Sequence, residues 1–303
     1  MVMFGTNAWA QEATYPLSGV SEWIEIAAEW LMLNWDLFFS IITSSLLGIY
    51  KAINWFVTIF PKPQIIIGGF IIQIPTILVF LVPLAYYISG VTAVWTFVVG
   101  TLFIASLGLW DVAEQTISIA LSSSGIAIAA GIPIGFLMGR VDKANAIIMP
   151  VLDLMQTTSA FVYLIPVVMF FGIGEAPAII ATLVFAMPPI IKLTNLGIRA
   201  VPVDLIEAGK AFGSTNFGLF YKVELPLARP SIMAGINQTI MLSLNMSVIA
   251  GLIGAGGLGA EIVRGIQMLR IGDGFVAGFS VTAIAICLDR LTRGIGKMKG
   301  VSN

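Results

Sequence analysis

Long apolar runs dominate the chain, separated by short polar breaks, and from residue 64 onward they recur at 64–88, 91–110, 113–139, 144–172, 176–198, 228–253 and 275–292. At about 1.5 Å per helical residue, runs of this length match a hydrocarbon core of about 30 Å. The pattern therefore predicts an all-α polytopic membrane protein with about seven transmembrane helices. The first run reads as a tilted span, kinked at Pro75 and Pro83. Within 113–139, Gly131, Gly135 and Gly139 recur every fourth residue, a stripe that lets a neighbouring helix approach closely.

Residues 22–60 follow a different pattern. Trp23, Trp30, Trp35 and Trp55 alternate with Glu25, Glu29, Asp36, Lys51 and Asn54, a mixture suited to the headgroup zone. Interfacial helices are expected there, with a crossing over 37–60 as the alternative. The Ala-rich stretch before residue 21 has no basic region and no long apolar run ahead of it, so no cleaved signal is expected. The predicted regions are an N-terminal scaffold over 1–63, two accessory helices over 64–110, and a core over 111–303.

The longest water-compatible stretch between apolar runs is 202–226. Pro202 suits a first helical position, and Leu205, Ala208, Gly209 and Phe212 then fall on one side, with Asp204, Glu207 and Lys210 on the other. Gly213 fits a left-handed cap, Ser214 or Thr215 can open a second helix, and Pro226 should hold Leu225 out of helical geometry. The stretch reads as helix, turn, helix, stop.

Composition supports the membrane reading and removes other classes. A mean hydropathy of +0.99 with 10% charged residues is too apolar for a soluble fold of this size. With no His and one Cys there is no material for a zinc site, a His-based triad or an internal disulfide, so no catalytic or metal residues are expected. A net charge of -1 provides no footprint for nucleic acid. Counting seven spans, eleven of the 15 Lys and Arg residues fall on the side of 202–226, and Lys51, Lys62, Arg264 and Arg270 fall opposite. The positive-inside rule then places 202–226 and the C-terminus in the cytoplasm and the N-terminus outside.

Candidate translocation residues come from polar groups inside the apolar runs. Asp153 is an ionisable group about three turns into its span and could line a cavity or hold a neighbouring helix. Gln156, Thr157, Thr158, Phe161 and Tyr163 follow it, offering polar groups and aromatic faces that suit a small zwitterion or a quaternary ammonium cation. On the sixth run, Asn237, Gln238 and Asn245 either join helices or wet a pore, with Asn237 and Asn245 close to one face. Gly254, Gly256 and Gly259 match G-x-G-x-x-G but follow a membrane helix rather than a strand, which argues against a nucleotide site. Together with Gly257 they read as a flexible outer end of the sixth helix and a candidate gate. No G-x-x-x-x-G-K-[ST] occurs, so ATP hydrolysis would need a partner.

The order Glu207-Ala208-Gly209, then Gly213, then Val223-Glu224-Leu225-Pro226 resembles the EAA loop of permease subunits from binding-protein-dependent ABC importers. That family's pattern is Glu-Ala-Ala, three residues, Gly, nine residues, Ile, any residue, Leu-Pro; here Gly209 and Val223 depart from it. The resemblance implies that 202–226 is a coupling helix docking on a separate ATPase, with Glu207, Ala208, Gly209, Phe212, Gly213, Lys222, Leu225 and Pro226 carrying the contact. Further segments, among them DLMQTTSAFVYLIP, LPLARPSIMAGINQTIM, IGAGGLG and LDRLTRGIG, resemble permeases of glycine betaine, proline betaine and choline importers, or a related trimethylamine N-oxide importer. Ser159 stands where that family often has Pro, and Lys192 where it often has Arg.

The resemblance implies a bacterial inner-membrane homodimer, two cytoplasmic ABC ATPase subunits that use ATP and Mg, and an external solute-binding protein. No cofactor would be bound by this chain. The alternatives are an ABC permease for another small solute, such as an amino acid, and a secondary transporter working without ATP, which would show inverted repeats.

Overall fold

The computed structural model describes residues 18–60, 62–67, 70–73, 76 and 78–298. By internal contacts the chain forms two compact units, Met1–Ser45 and Leu46–Asn303. The first holds α1 (Ser18–Asn34) and the start of α2 (Asp36–Thr58). Four Trp and Phe side chains there, Trp23, Trp30, Trp35 and Phe38, are exposed. With 23 residues, α2 is long and apolar enough to cross a membrane, so its length fits the crossing alternative for 37–60 as well as the interfacial one.

In the second unit, the expected span over 64–88 is replaced by a short antiparallel hairpin, β1 (Gln64–Ile67) and β2 (Phe70–Gln73), followed by α3 (Leu78–Ser89). The hairpin register pairs Gln64 with Gln73 and Ile67 with Phe70. The physical reason is local: β-branched Ile runs flank a Gly-Gly dipeptide, which is hairpin chemistry rather than helix chemistry. Pro75 lies outside the described residues, and Pro83 falls inside α3. Apart from this hairpin, the described residues outside turns and linkers are helical.

Next come α4 (Val91–Ser106), α5 (Trp110–Arg140), α6 (Asp142–Thr157), α7 (Ala160–Phe171), α8 (Glu175–Arg199), α9 (Val203–Ala211), α10 (Asn216–Leu219), a π turn (Phe220–Glu224), α11 (Leu225–Ala250), α12 (Gly257–Gln267) and α13 (Ile271–Met298). Five helices are long and apolar enough to span, or six if the bent pair α6 and α7 counts as one. The expected seven falls short because α3 is only 12 residues long and α4 only 16.

Successive spans, α5, the α6–α7 pair, α8 and α11, alternate in direction, which gives this unit two chemically different ends. One end gathers Arg140, Asp142, Arg199 and Glu224. There Arg199 donates to the Met138 carbonyl at 2.9 Å and to Asp142 at 2.7 Å, and Asn195 donates to Asn145 at 2.8 Å, joining α5, α6 and α8. At the opposite end Lys62 bonds Asp111 at 2.7 Å and also Glu114, while the Trp110 indole donates to Glu114 at 2.7 Å. Burial pulls the Lys62 pKa down, but the hydrogen bonds and charges of Asp111 and Glu114 outweigh it and hold the ammonium above its ordinary value.

The central contact is α5 against α8, and the glycine stripe makes it possible. A Cβ on Gly131 would lie 2.4 Å from Ile190, one on Gly135 2.5 Å from the Ile191 carbonyl, and one on Gly139 2.7 Å from Ile198. Larger residues would push the helices apart. Apolar clusters fill the bundle at both ends. Ile104, Trp110, Leu244, Leu258 and Val281 lie towards the Lys62 end, and Met138, Leu152, Ile190, Ile198 and Ile232 towards the Arg140 end.

Candidate functional site

The stretch 202–226 folds into an elbow at the Arg140 end. Pro202 sits at the N-cap of α9 rather than at its first helical position, with φ −58° and ψ 133°. Gly213 takes φ +76°, the left-handed cap expected of it. Thr215 then accepts from the Gly218 N–H at 3.2 Å and opens α10.

Leu225 is helical, φ −61° and ψ −44°, in place of the expected extended geometry. The π turn explains why. Its Leu225 N–H reaches the Phe220 carbonyl five residues back, and this wider turn leaves room for the Pro226 ring, so helical geometry continues through the bond that proline cannot make. The result is one continuous helix from Phe217 to Ile253, 37 residues long, that joins the elbow to the far end of the bundle.

The expected apolar side of α9 is open. No residue of α9 is buried, and Leu205, Glu207, Ala208 and Lys210 are exposed, as is Phe212 at 91%. Phe217 and Tyr221 extend the exposed apolar area, and Lys222 is exposed beside them. Gly209 faces inward: a Cβ there would lie 2.6 Å from the Leu219 side chain, whose far end can yield. The Ala of the resemblance pattern is therefore accommodated with a small shift at this position.

A tie absent from the sequence reading holds the elbow to the bundle. Arg140 bonds Glu224 through Nε at 3.1 Å and Nη2 at 2.6 Å, and Glu224 is 4% exposed. The Arg140 guanidinium also stacks over the Phe136 ring at 4.5 Å, and that ring lies 4.3 Å from Phe220. Glu224 occupies the variable position of the loop pattern, so no motif marks it.

The candidate path residues do not form one group. Asp153 and Gln156 come together through Lys192, which bonds Asp153 at 2.6 Å and also bonds Gln156. Thr157 and Thr158 return their hydroxyls to the Leu154 carbonyl, as α6 ends, and Tyr163 donates to the Met155 carbonyl at 2.7 Å. Between α6 and α7 the chain bends by 99°. Ser159 holds φ −62° and ψ 141°, a conformation proline itself would take, so the bend survives the exchange. Phe161 is exposed just beyond it.

Asn237 turns the other way. It donates to Asp289 at 3.0 Å and accepts from Thr292 at 2.5 Å. With Gln238 it lines a separate cavity of about 1120 Å³ between α11 and α13. Asn245 is exposed, so it does not share the surroundings of Asn237 as the spacing suggested.

Gly254, Gly256 and Gly257 take φ +75°, +74° and +72°, making a sharp corner that returns α12 against the end of α11. A Cβ on Gly251 would lie 2.3 Å from the Gly259 carbonyl carbon, and one on Gly259 2.6 Å from the Val248 carbonyl. Gln115 accepts from the Gly257 N–H at 2.9 Å, and Thr116 from Leu258 N–H at 2.8 Å. This corner is backbone packed on backbone, unlike the flexible helix end expected there.

The chain matches the family described as "Binding-protein-dependent transport system inner membrane component" over residues 131–297, more than half its length. The chain belongs to this family. It is a multi-pass membrane transport component, not an enzyme.

Among curated relatives, the glycine betaine/proline betaine transport system permease protein ProW of Escherichia coli is 46% identical over 74% of this chain and 63% of its own length. The chain thus spans about three fifths of ProW. The glycine betaine/carnitine transport permease protein GbuB of Listeria monocytogenes is 41% identical over 93% of this chain and 97% of its own. A trimethylamine N-oxide transport system permease protein of Ruegeria pomeroyi is 37% identical over 68% of this chain and 30% of its own length. Among solved structures, an inward-facing MetNI methionine ABC transporter chain superposes with a TM-score of 0.53 at 24% identity, covering 63% of this chain and 93% of that one. The last likeness speaks to fold alone.

Proposed function

We propose that this chain is the membrane-spanning permease of an ATP-driven importer for small compatible solutes: glycine betaine, proline betaine, choline or trimethylamine N-oxide. The observation that carries the proposal is the elbow, an exposed apolar surface on 205–221 continuous with a helix that crosses the whole bundle. A surface with Phe212 at 91% exposure, projecting from a polar loop, is built to be covered by another protein. A cytoplasmic ATPase fits that place, and the basic end of the bundle supports a cytoplasmic elbow and C-terminus.

In this proposal two such permeases form a homodimer with two ATPases, and an external binding protein delivers solute. ATP and Mg are used by the ATPase, and this chain binds no cofactor of its own. Closure of the ATPase pair moves α9. The Gly209–Leu219 packing passes that motion to the π turn, and the Arg140–Glu224 tie passes it to α5. Switching a two-state gate from 99:1 to 1:99 needs about 5.5 kcal/mol of differential binding, well within what nucleotide binding by a partner can supply. The closely packed glycine corner 254–259 then serves as the outer gate that moves as a unit with α11. The relatives named above supply the solute class, and the aromatic and polar groups of α6 and α7 suit it.

The deciding experiment reconstitutes the full importer with Glu207→Lys or Gly213→Asp in the permease. Both variants should insert normally, because Glu207 is exposed and the strain of a side chain at the φ +76° position of Gly213 falls on the exposed turn outside the bundle, yet lose solute uptake and binding-protein-stimulated ATP hydrolysis. Normal uptake in both would remove the coupling role.

A further inference from the structure

Among the described residues, the Asp153–Lys192 pair is the charged contact between α6 and α8 that lies apart from the Arg199–Asp142 contact at the Arg140 end. Lys192 precedes the end of α8 by seven residues, about 10 Å along the helix, and Asp153 lies about 16 Å from the start of α6. The pair is not sealed: the Asp153 side chain is 61% exposed, and Lys192 is 21% exposed. On α6, Ile147, Val151 and Leu154 are also exposed, as are Phe161 and Ile165 on α7, so both helices carry open apolar surface besides the pair. An open ion pair facing hydrocarbon is costly, so this patch belongs against water or a second chain rather than lipid.

Its bonding is incomplete in a useful way. An ammonium has three N–H donors, and Lys192 uses them on Asp153 Oδ1 and on Gln156 Oε1, leaving one. The second carboxylate oxygen of Asp153 has no partner among the described residues. A free N–H beside a free carboxylate oxygen complements a molecule that carries both charges.

We propose that Asp153 and Lys192 form a zwitterion-reading site in the permease, with Lys192 donating to the solute carboxylate and Asp153 facing its quaternary ammonium. Gln156 positions Lys192 for that contact. A trimethylammonium group has no N–H, so only charge or an aromatic face can meet it, and Asp153 supplies the charge. In the empty state the two residues neutralise each other, which keeps the span stable between transport events. Entry of a zwitterion exchanges this one ion pair for two, with no net charge left in the membrane. The inference rests on the solute class proposed above and adds where, within this chain, that class is recognised.

The test uses the complete importer in proteoliposomes, with uptake of glycine betaine and of choline, which lacks a carboxylate, measured at saturating binding protein. In Lys192→Met, betaine uptake should fall at least about tenfold relative to choline uptake, since a site built for a polar group discriminates strongly when that group is lost. The double variant Asp153→Asn with Lys192→Met removes the stranded charge and should remain slow for betaine although its melting temperature recovers. A second arm places Thr157→Cys in a Cys287→Ser background, where a charged thiol reagent should react and millimolar betaine should slow it.

Equal loss of both solutes in Lys192→Met, or full recovery in the double variant, would show a plain tie between α6 and α8 and overturn the site. Absence of labelling by the charged reagent would do the same. A wild-type importer that moves neither solute would instead refute the solute class, so the two failures are told apart.

Discussion

The continuous helix from Phe217 to Ile253 ends in two opposite kinds of joint. At its far end, Gly251 and Gly259 bring backbone against backbone, Gly254, Gly256 and Gly257 turn the chain beside the side chains of Ile173, Gln115 and Thr116, and Gln115 and Thr116 of α5 close the corner with hydrogen bonds. At its near end, long side chains do the joining: Arg140 with Glu224, and Phe136 with Phe220. Backbone contacts at such distances have no slack, whereas side-chain contacts can be remade after a small shift. The near end is also open, with Phe212 and Phe217 exposed. The contrast teaches that an open elbow and a tightly joined corner can share one helix, so that a push at the elbow would carry the corner along with α11.

Substitution at the corner should give the largest effect. Gly251→Leu places atoms where Gly259 backbone already lies, with no flexible neighbour to yield, and should abolish folded protein in detergent, measured by size-exclusion recovery. At the elbow tie, Glu224→Gln removes the buried carboxylate that bonds Arg140. It should lower stability by about 2 kcal/mol, read as a fall in melting temperature, with uptake lost as well. A corner variant that folds normally would break the contrast from one side, and a silent Glu224→Gln would break it from the other.

The elbow surface should behave differently again. Phe212→Ser should change stability by no more than about 0.5 kcal/mol while lowering coupled ATP hydrolysis several-fold, because the ring touches nothing in this chain's bundle. The smallest effect is expected at Lys62. Its folded pKa is raised above 10.5, so the stability it contributes is fully present below that value and is lost only as pH climbs through the higher folded one. Melting should therefore show no Lys62-dependent change between about pH 6 and pH 9, compared with Lys62→Met.

Much of the bundle was legible in the chain itself. The Gly131, Gly135 and Gly139 stripe marked the α5 and α8 contact because small residues at four-residue spacing have one packing use. Gly213 marked the elbow turn because φ +76° disfavours other residues. The loop pattern also identified the surface that is now open. Other features depended on tertiary context. Ile65 to Ile72 reads as span by hydropathy, and only the Gly-Gly dipeptide hints at the hairpin that forms.

Pro226 was misjudged because local rules treat proline as a stop, while the preceding π turn absorbs it. Arg140 and Glu224 lie 84 residues apart in the chain, and nothing in either neighbourhood predicts the other. Lys192 was visible only as a departure from a family pattern; its bond to Asp153 needed the packing of α6 on α8.

The central claim is that the elbow at 202–226 receives force from a cytoplasmic ATPase. It is tested most directly by a cross-link from Phe212→Cys, with the buried Cys287 replaced by Ser, in membranes carrying the whole importer. A short thiol-reactive linker should capture the ATPase subunit, in a yield that changes between nucleotide-free and ATP-bound states. Failure to capture that subunit, together with labelling of the same cysteine by an impermeant reagent added outside intact cells, would contradict the account.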